Sequence, residues 1–236
     1  MTIEPRYRAR LAAALTAAAT LYGAAALAQE AVPEAVPGAV TGSTRALAPL
    51  ETPLSGDALY MAEGSEARGP LGYYMLCERD PAACPAPVAP EGETLVGLTR
   101  QTLFTLDEIN RLVNSLYVAT TDIEAHGVAD LWSLPLETAD CEDFVLAKRA
   151  ALIARGWPAE ALLIGVTIGR ESPYHAVLIA RTSAGEMVLD NLTDEVLPWR
   201  QSGYEWVVRQ SSADPRRWVR IEGASEGARG RIAQAQ

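Results

Sequence analysis

The chain carries three cysteines (Cys77, Cys84 and Cys141) and two histidines (His126 and His175). A thiolate, an imidazole base and a carboxylate that orients the base together make a nucleophile for acyl transfer. Cys141 lies in Asp140-Cys141-Glu142-Asp143, at the predicted start of a helix. There the free backbone N–H groups and the helix dipole favour the thiolate. His175 falls in a strand pattern further along, and Asp190 closes the next one. Paired as a hairpin, those strands would let His175 and Asp190 face each other. The roles would be Cys141 as nucleophile, His175 as base and Asp190 as orienter. Singly, each has an ordinary structural reading: a small buried hydrophobe, a satisfied core histidine, a turn aspartate. Their order and combination lift the chemical reading level with the structural one, and on the residues alone both stay open. His126 is read as a loop residue without a role.

Three carboxylates crowd the candidate nucleophile, and negative charge so close raises a thiol pKa. Acidic residues in a helix's first turn are commonly capping and dipole partners. The other reading is that a hard cation neutralises Asp140, Glu142 and Asp143. Oxygen donors without cysteine or histidine suit Ca²⁺ better than zinc, and such an ion would be structural, holding the nucleophile loop.

The elements that must position these residues follow from periodicity. Thr105-Leu106-Asp107-Glu108 has the form of a capping box, followed at helical spacing by Ile109, Leu112, Val113 and Leu116. Thr138 or Asp140 can cap a second helix reaching Arg155, with Gly156 as its stop. Phe144, Val145, Leu146, Ala147, Ala150, Ala151, Leu152 and Ile153 leave that helix apolar on nearly every side, which predicts burial. Strand patterns follow at 161–168, 174–181 and 186–190, with turns at 169–173 and 182–185, and further strands at 204–210 and Trp218–Ile221. Helices followed by an antiparallel meander predict an α+β fold with the central helix packed on a sheet. No internal repeat is visible.

Arg6, Arg8 and Arg10 precede an uncharged Ala/Leu-rich run over 11–28 that ends Ala26-Leu27-Ala28. This is the pattern of a cleaved secretory signal peptide, the alternative being an uncleaved anchor. A Pro/Ala-rich leader is expected over 29–56, one domain over 57–222 and a flexible tail over 223–236. Net charge is −10 and becomes more negative without the three arginines and one glutamate of 1–28, which argues against nucleic acid as a partner. In an oxidising compartment Cys77 and Cys84 are placed to close a short disulfide loop, the alternative being two free buried thiols. Their pairing would leave Cys141 as the odd thiol.

Several of these segments resemble one family. They are Asp140-Cys141-Glu142-Asp143-Phe144 with Lys148, His175-Ala176-Val177-Leu178, Leu189-Asp190-Asn191, and Tyr204-Glu205-Trp206. Arg209-Gln210-Ser211 with Trp218, Asp130-Leu131-Trp132 with Pro135 and Glu137, and Cys77 with Cys84-Pro85 belong with them. Over residues 77–221 the chain resembles the bacterial transglutaminase-like cysteine proteinases, which include the LapG-type periplasmic proteases. The resemblance implies a transglutaminase-like, papain-like fold with Cys141, His175 and Asp190 as the triad. It implies calcium held by Asp140 and Glu142, with Asp143 a further candidate. It also implies a surface adhesin, cut near an Ala-Ala site, as substrate, and an inner-membrane receptor responding to cyclic-di-GMP as regulator. The expected protein is thus a periplasmic cysteine endopeptidase acting through a thioester. An enzyme that passes the acyl group to an amine would share the triad, and a non-catalytic binding module would share the fold.

Overall fold

The computed structural model describes residues 59–84, 94–169 and 174–222. The expected signal peptide (1–28), leader (29–56) and tail (223–236) lie outside these residues, as does most of the expected turn at 169–173. The elements run β1 (Glu63–Ala67), α1 (Leu71–Arg79), α2 (Arg100–Leu116), β2 (Val118–Ala119), α3 (Asp122–His126), β3 (Thr138–Ala139) and α4 (Cys141–Ala154). After them come β4 (Leu162–Thr167), β5 (His175–Thr182), β6 (Gly185–Leu189), β7 (Leu197–Pro198), β8 (Trp206–Gln210) and β9 (Trp218–Ile221). The fold is α+β, with α4 packed on an antiparallel sheet of order β1-β9-β8-β4-β5-β6-β7.

The helix predicted to be buried is enclosed: residues 142–152 are all buried. α4 shares one core cluster with Leu162, Ile164, Ala176, Leu178 and Ala180 of the sheet and with Leu106, Ile109 and Val113 of α2. Ala147 and Ala151, both fully buried, allow close approach of α4 to its neighbours. The far face of the sheet carries a second cluster of Met61, Leu163, Val177, Ile179, Val188, Trp206 and Ile221. Two covered faces explain why β4, β5 and β6 are buried at every position.

Several expectations need correction. The box Thr105–Glu108 does not start α2. Thr99 and Thr102 form the reciprocal capping box instead, so the helix begins at Arg100. The Thr105 hydroxyl donates within the helix to the Gln101 carbonyl, at 2.9 Å. A hydroxyl already used this way inside a helical turn is not needed as a cap. The strands do not form a simple meander, because β8 returns beside β4 and β1 pairs with β9 at one edge. β1 (Glu-Gly-Ser-Glu-Ala) lacks apolar alternation and is held through its backbone and through Glu63, which accepts from Ser211, Ser212 and Arg209. His126 ends the short helix α3, which stops at Gly127 with φ +72°. The β5–β6 turn is shorter than expected, since the strands run up to Thr182 and from Gly185.

Charge is buried inside the sheet as well. Glu186 accepts from Arg209 at 2.7 Å, from Arg181 at 3.3 Å and from the Met61 N–H at 2.8 Å. Removing one member of such a network leaves the rest under-compensated in a low-dielectric interior, even though Arg209 keeps its bond to Glu63. Glu186→Ala should therefore destabilise the fold by about 3–5 kcal/mol, measured by urea unfolding. A loss below about 1 kcal/mol would show that the partners the arginines keep, Glu63 for Arg209 among them, suffice to compensate them.

Candidate active site

Cys141 is the first residue of α4, with Asp140 as N-cap. His175 opens β5 and Asp190 follows β6. β5 and β6 pair Leu178 with Leu189. Continuing that register by one step sets Asp190 opposite Val177, so His175 and Asp190 lie diagonally on one face. The diagonal is short enough for contact: His175 Nε2 is 2.7 Å from Asp190 Oδ1, and both side chains are buried. With Nε2 on the carboxylate, Nδ1 is the nitrogen left for another partner. The Ala176 N–H, next along β5, acts on the Cys141 sulfur and draws its pKa down. The nucleophile candidate thus lies at the start of the strand that carries the histidine.

Asp190 is held at every polar atom. Its N–H donates to Asn110 Oδ1 at 3.1 Å, and its carbonyl accepts from Asn114 Nδ2 at 3.0 Å. Oδ1 also accepts the Leu192 N–H at 3.1 Å, and Oδ2 accepts the Tyr204 hydroxyl. Burial alone would push the carboxyl up, yet the bonds and charge from His175, with those of Tyr204 and Leu192, hold it below its ordinary value. Asn110, Asn114 and Tyr204 are site residues that the sequence reading missed as such. A polar residue on the core-facing stripe of an amphipathic helix, as Asn110 is, was the available signal.

The carboxylates around Cys141 behave in the opposite way. The Cys141 thiol donates to Glu142 Oε2 at 3.0 Å. Burial first, and then the charge of Glu142, push the thiol above its ordinary value. Burial likewise raises Asp140 and Glu142, with mutual repulsion adding to it at Asp140. Asp140 and Glu142 come together as expected, but Asp143 does not join them. One residue further round the helix, it turns towards Ser133, accepting from the Ser133 N–H at 2.8 Å, and burial lifts it to about 8. The third member is Asp122, first residue of α3: one carboxylate oxygen each from Asp122, Asp140 and Glu142 lie within 4.8 Å of one another. The parallel pair β2–β3 makes this meeting. Val118 pairs with Thr138 and Ala119 with Ala139, so the chain segments just beyond each strand emerge side by side. Asp140 Oδ1 is buried with no hydrogen-bond partner among the described residues. Three hard oxygen donors, one unsatisfied, are a set that fits a calcium-like cation.

The loop before the nucleophile is tied to α1. Gly72 N–H and the Trp132 ring N–H each donate to Asp130 at 2.8 Å, and Arg79 donates to the Trp132 carbonyl at 2.6 Å. A Cβ at position 72 would meet Trp132 at 2.4 Å, so only glycine allows this approach. Cys77 and Cys84 form a disulfide at the end of α1, Cα to Cα 5.5 Å, leaving Cys141 as the free cysteine. Lys148, the one lysine of the chain, is buried two turns along α4 from Cys141, 5.9 Å over the Phe144 ring.

Residues 63–226 match the family model of the bacterial transglutaminase-like cysteine proteinases. No curated protein matches the chain. Among solved structures, calcium-bound Legionella pneumophila LapG is 23% identical, covering 55% of this chain and 79% of that one with a TM-score of 0.43. The EGTA-treated form of that protein is 22% identical, covering 55% and 78%, with a TM-score of 0.42. The chain belongs to the bacterial transglutaminase-like cysteine proteinase family and is a cysteine peptidase of the transglutaminase-like type.

Proposed function

We propose that this peptidase is an exported endopeptidase in which Cys141, His175 and Asp190 form the catalytic triad. The observation that carries the reading is the buried His175–Asp190 pair at 2.7 Å beside the start of the helix that bears the free cysteine. Cys141 attacks the peptide carbonyl while His175 takes the thiol proton at Nδ1. Backbone N–H groups at the start of α4 stabilise the oxyanion. His175 then protonates the leaving amine, and water hydrolyses the thioester. Asp190 holds the ring and stabilises the imidazolium. Export to the periplasm is supported by the signal-like pattern over 1–28 and by the Cys77–Cys84 disulfide. The substrate proposed from the resemblance is a large surface adhesin, and the regulator a cyclic-di-GMP-responsive membrane receptor.

We further propose that Asp122, Asp140 and Glu142 hold Ca²⁺. A divalent cation held there would supply positive charge beside Asp140 and Glu142, whose burial favours their protonated forms. Glu142, once engaged in the cluster, no longer competes with His175 for the Cys141 proton.

Three outcomes are expected. In calcium buffer, iodoacetamide should modify Cys141 below about pH 8.5, the ordinary thiol value, with the site located by peptide mass spectrometry. His175→Ala should slow this by about 10²-fold or more. Equal rates in the two proteins would remove His175 as base. An adhesin fragment containing an Ala-Ala site should be cut by the wild type and not by Cys141→Ala. A free carboxylate at the new C-terminus in the presence of added amine separates hydrolysis from acyl transfer.

The third outcome concerns pH. Asp140, Glu142 and Asp143 all titrate higher folded than unfolded, so the native state binds the extra protons above the ordinary carboxylate range. The unfolding free energy therefore falls as pH rises from about 4 towards the value of about 8 at Asp143. In EGTA the melting temperature should drop across this window. Added calcium should restore it in wild type and not in Asp122→Asn/Asp140→Asn. A melting temperature indifferent to both EGTA and calcium would eliminate the cation.

A further inference from the structure

The segment Tyr204-Glu205-Trp206 stands just before and within the start of β8, and the triad alone leaves Tyr204 without a task. Its ring lies against His175, centroids 5.7 Å apart and tilted by 41°, and meets Trp206 edge-on at 6.4 Å. Its hydroxyl donates to Asp190 Oδ2, the carboxylate oxygen that His175 does not use. An aspartate carboxylate turns easily about its last torsion, whose wells are broad and two-fold. Here Oδ1 takes His175 Nε2 and the Leu192 N–H while Oδ2 takes the phenol, so rotation would break three bonds together.

We propose that Tyr204 is a positioning residue of the triad: its hydroxyl locks the Asp190 carboxylate, which keeps His175 protonated at Nε2 with Nδ1 free for the Cys141 proton. The inference rests on the triad reading above. The imidazole can take the thiol proton only at the nitrogen that lacks one. A carboxylate free to turn would let the ring spend time in the other tautomer. The Asn110 and Asn114 bonds fix the backbone of Asp190. They leave its carboxylate torsion to the bonds on its oxygens: the Leu192 N–H and His175 hold Oδ1, and the phenol alone holds Oδ2.

A phenol that merely needs a buried partner would give the same hydrogen bond, so the test has to separate positioning from stability. The full mature chain is compared as wild type, Tyr204→Phe, Asp190→Ala, the double variant and His175→Ala, at one pH and one calcium concentration. Two quantities are read: the second-order rate of Cys141 alkylation by iodoacetamide, and the His175 tautomer by ¹⁵N-histidine NMR, where only two histidines give signals. Tyr204→Phe should slow alkylation about tenfold, the rate counterpart of one hydrogen bond to a charged group, and mix the tautomers. Tyr204→Phe/Asp190→Ala should alkylate at the rate of Asp190→Ala alone, because the phenol acts through that carboxylate. That comparison holds even if Tyr204→Phe alone unfolds, since the double variant leaves no carboxylate oxygen unpaired. Unchanged rate and tautomer in Tyr204→Phe, or a further loss in the double variant, would overturn the inference with the triad intact. Equal rates in wild type and His175→Ala would instead overturn the triad reading, and this inference with it.

Discussion

α4 has no face for water, and the rest of the molecule is arranged around that constraint. Every residue from 142 to 152 is buried, Lys148 and Arg149 included. Such a helix is stable only if it is enclosed, here by the sheet and α2. Enclosure also sets where the helix begins. Its first residue, Cys141, comes to the start of β5, where His175 and the Ala176 N–H lie. α2 serves twice: Leu106, Ile109 and Val113 cover the helix, while Asn110 and Asn114 on the same helix grip the Asp190 turn. Packing and site geometry are therefore set by the same contacts.

The two halves of the site show how surroundings decide what one residue type does. Asp190 and Asp143 are both buried carboxyls, 3% and 2% exposed. Asp190 is held low because a histidine, a phenol and a backbone N–H all favour its charged form. Asp143 is pushed up to about 8 because burial outweighs the bonds from Ser133. The Cys141 thiol belongs with the second case: burial and Glu142 oppose the thiolate that the helix start would otherwise favour. A site with one well-compensated half and one under-compensated half invites an outside charge at the latter. Asp140 Oδ1 is buried and unpartnered among the described residues.

Much of the framework was legible in the chain itself. The all-round apolar pattern of 144–153 announced a buried helix, and β4, β5, β6 and β9 fell within a residue or two of their patterns, because apolar periodicity records burial directly. β1 and α1 were not legible. β1 is an edge strand held by backbone pairing and by the carboxylate of Glu63, neither of which leaves an apolar signature. The start of α2 was misread because a Thr-x-x-Glu pattern inside a helix looks like one at its end, and only the hydrogen bonds of Thr99 and Thr102 distinguish them.

At the site, the chain alone determined the chemical types and their order: one odd cysteine at a helix start, one histidine within a strand pattern, one aspartate at the end of the next pattern. Those facts follow from composition and local periodicity, which do not depend on the rest of the fold. Tertiary structure alone decided which carboxylates share space. Asp122 reaches Asp140 and Glu142 because β2 pairs in parallel with β3, while Asp143, two residues from Cys141, turns away to Ser133. It likewise decided that Asn110, Asn114 and Tyr204 all converge on Asp190. Contacts between residues some eighty positions apart, as between Asn110 and Asp190, arise from how the elements pack, and local pattern carries no record of them.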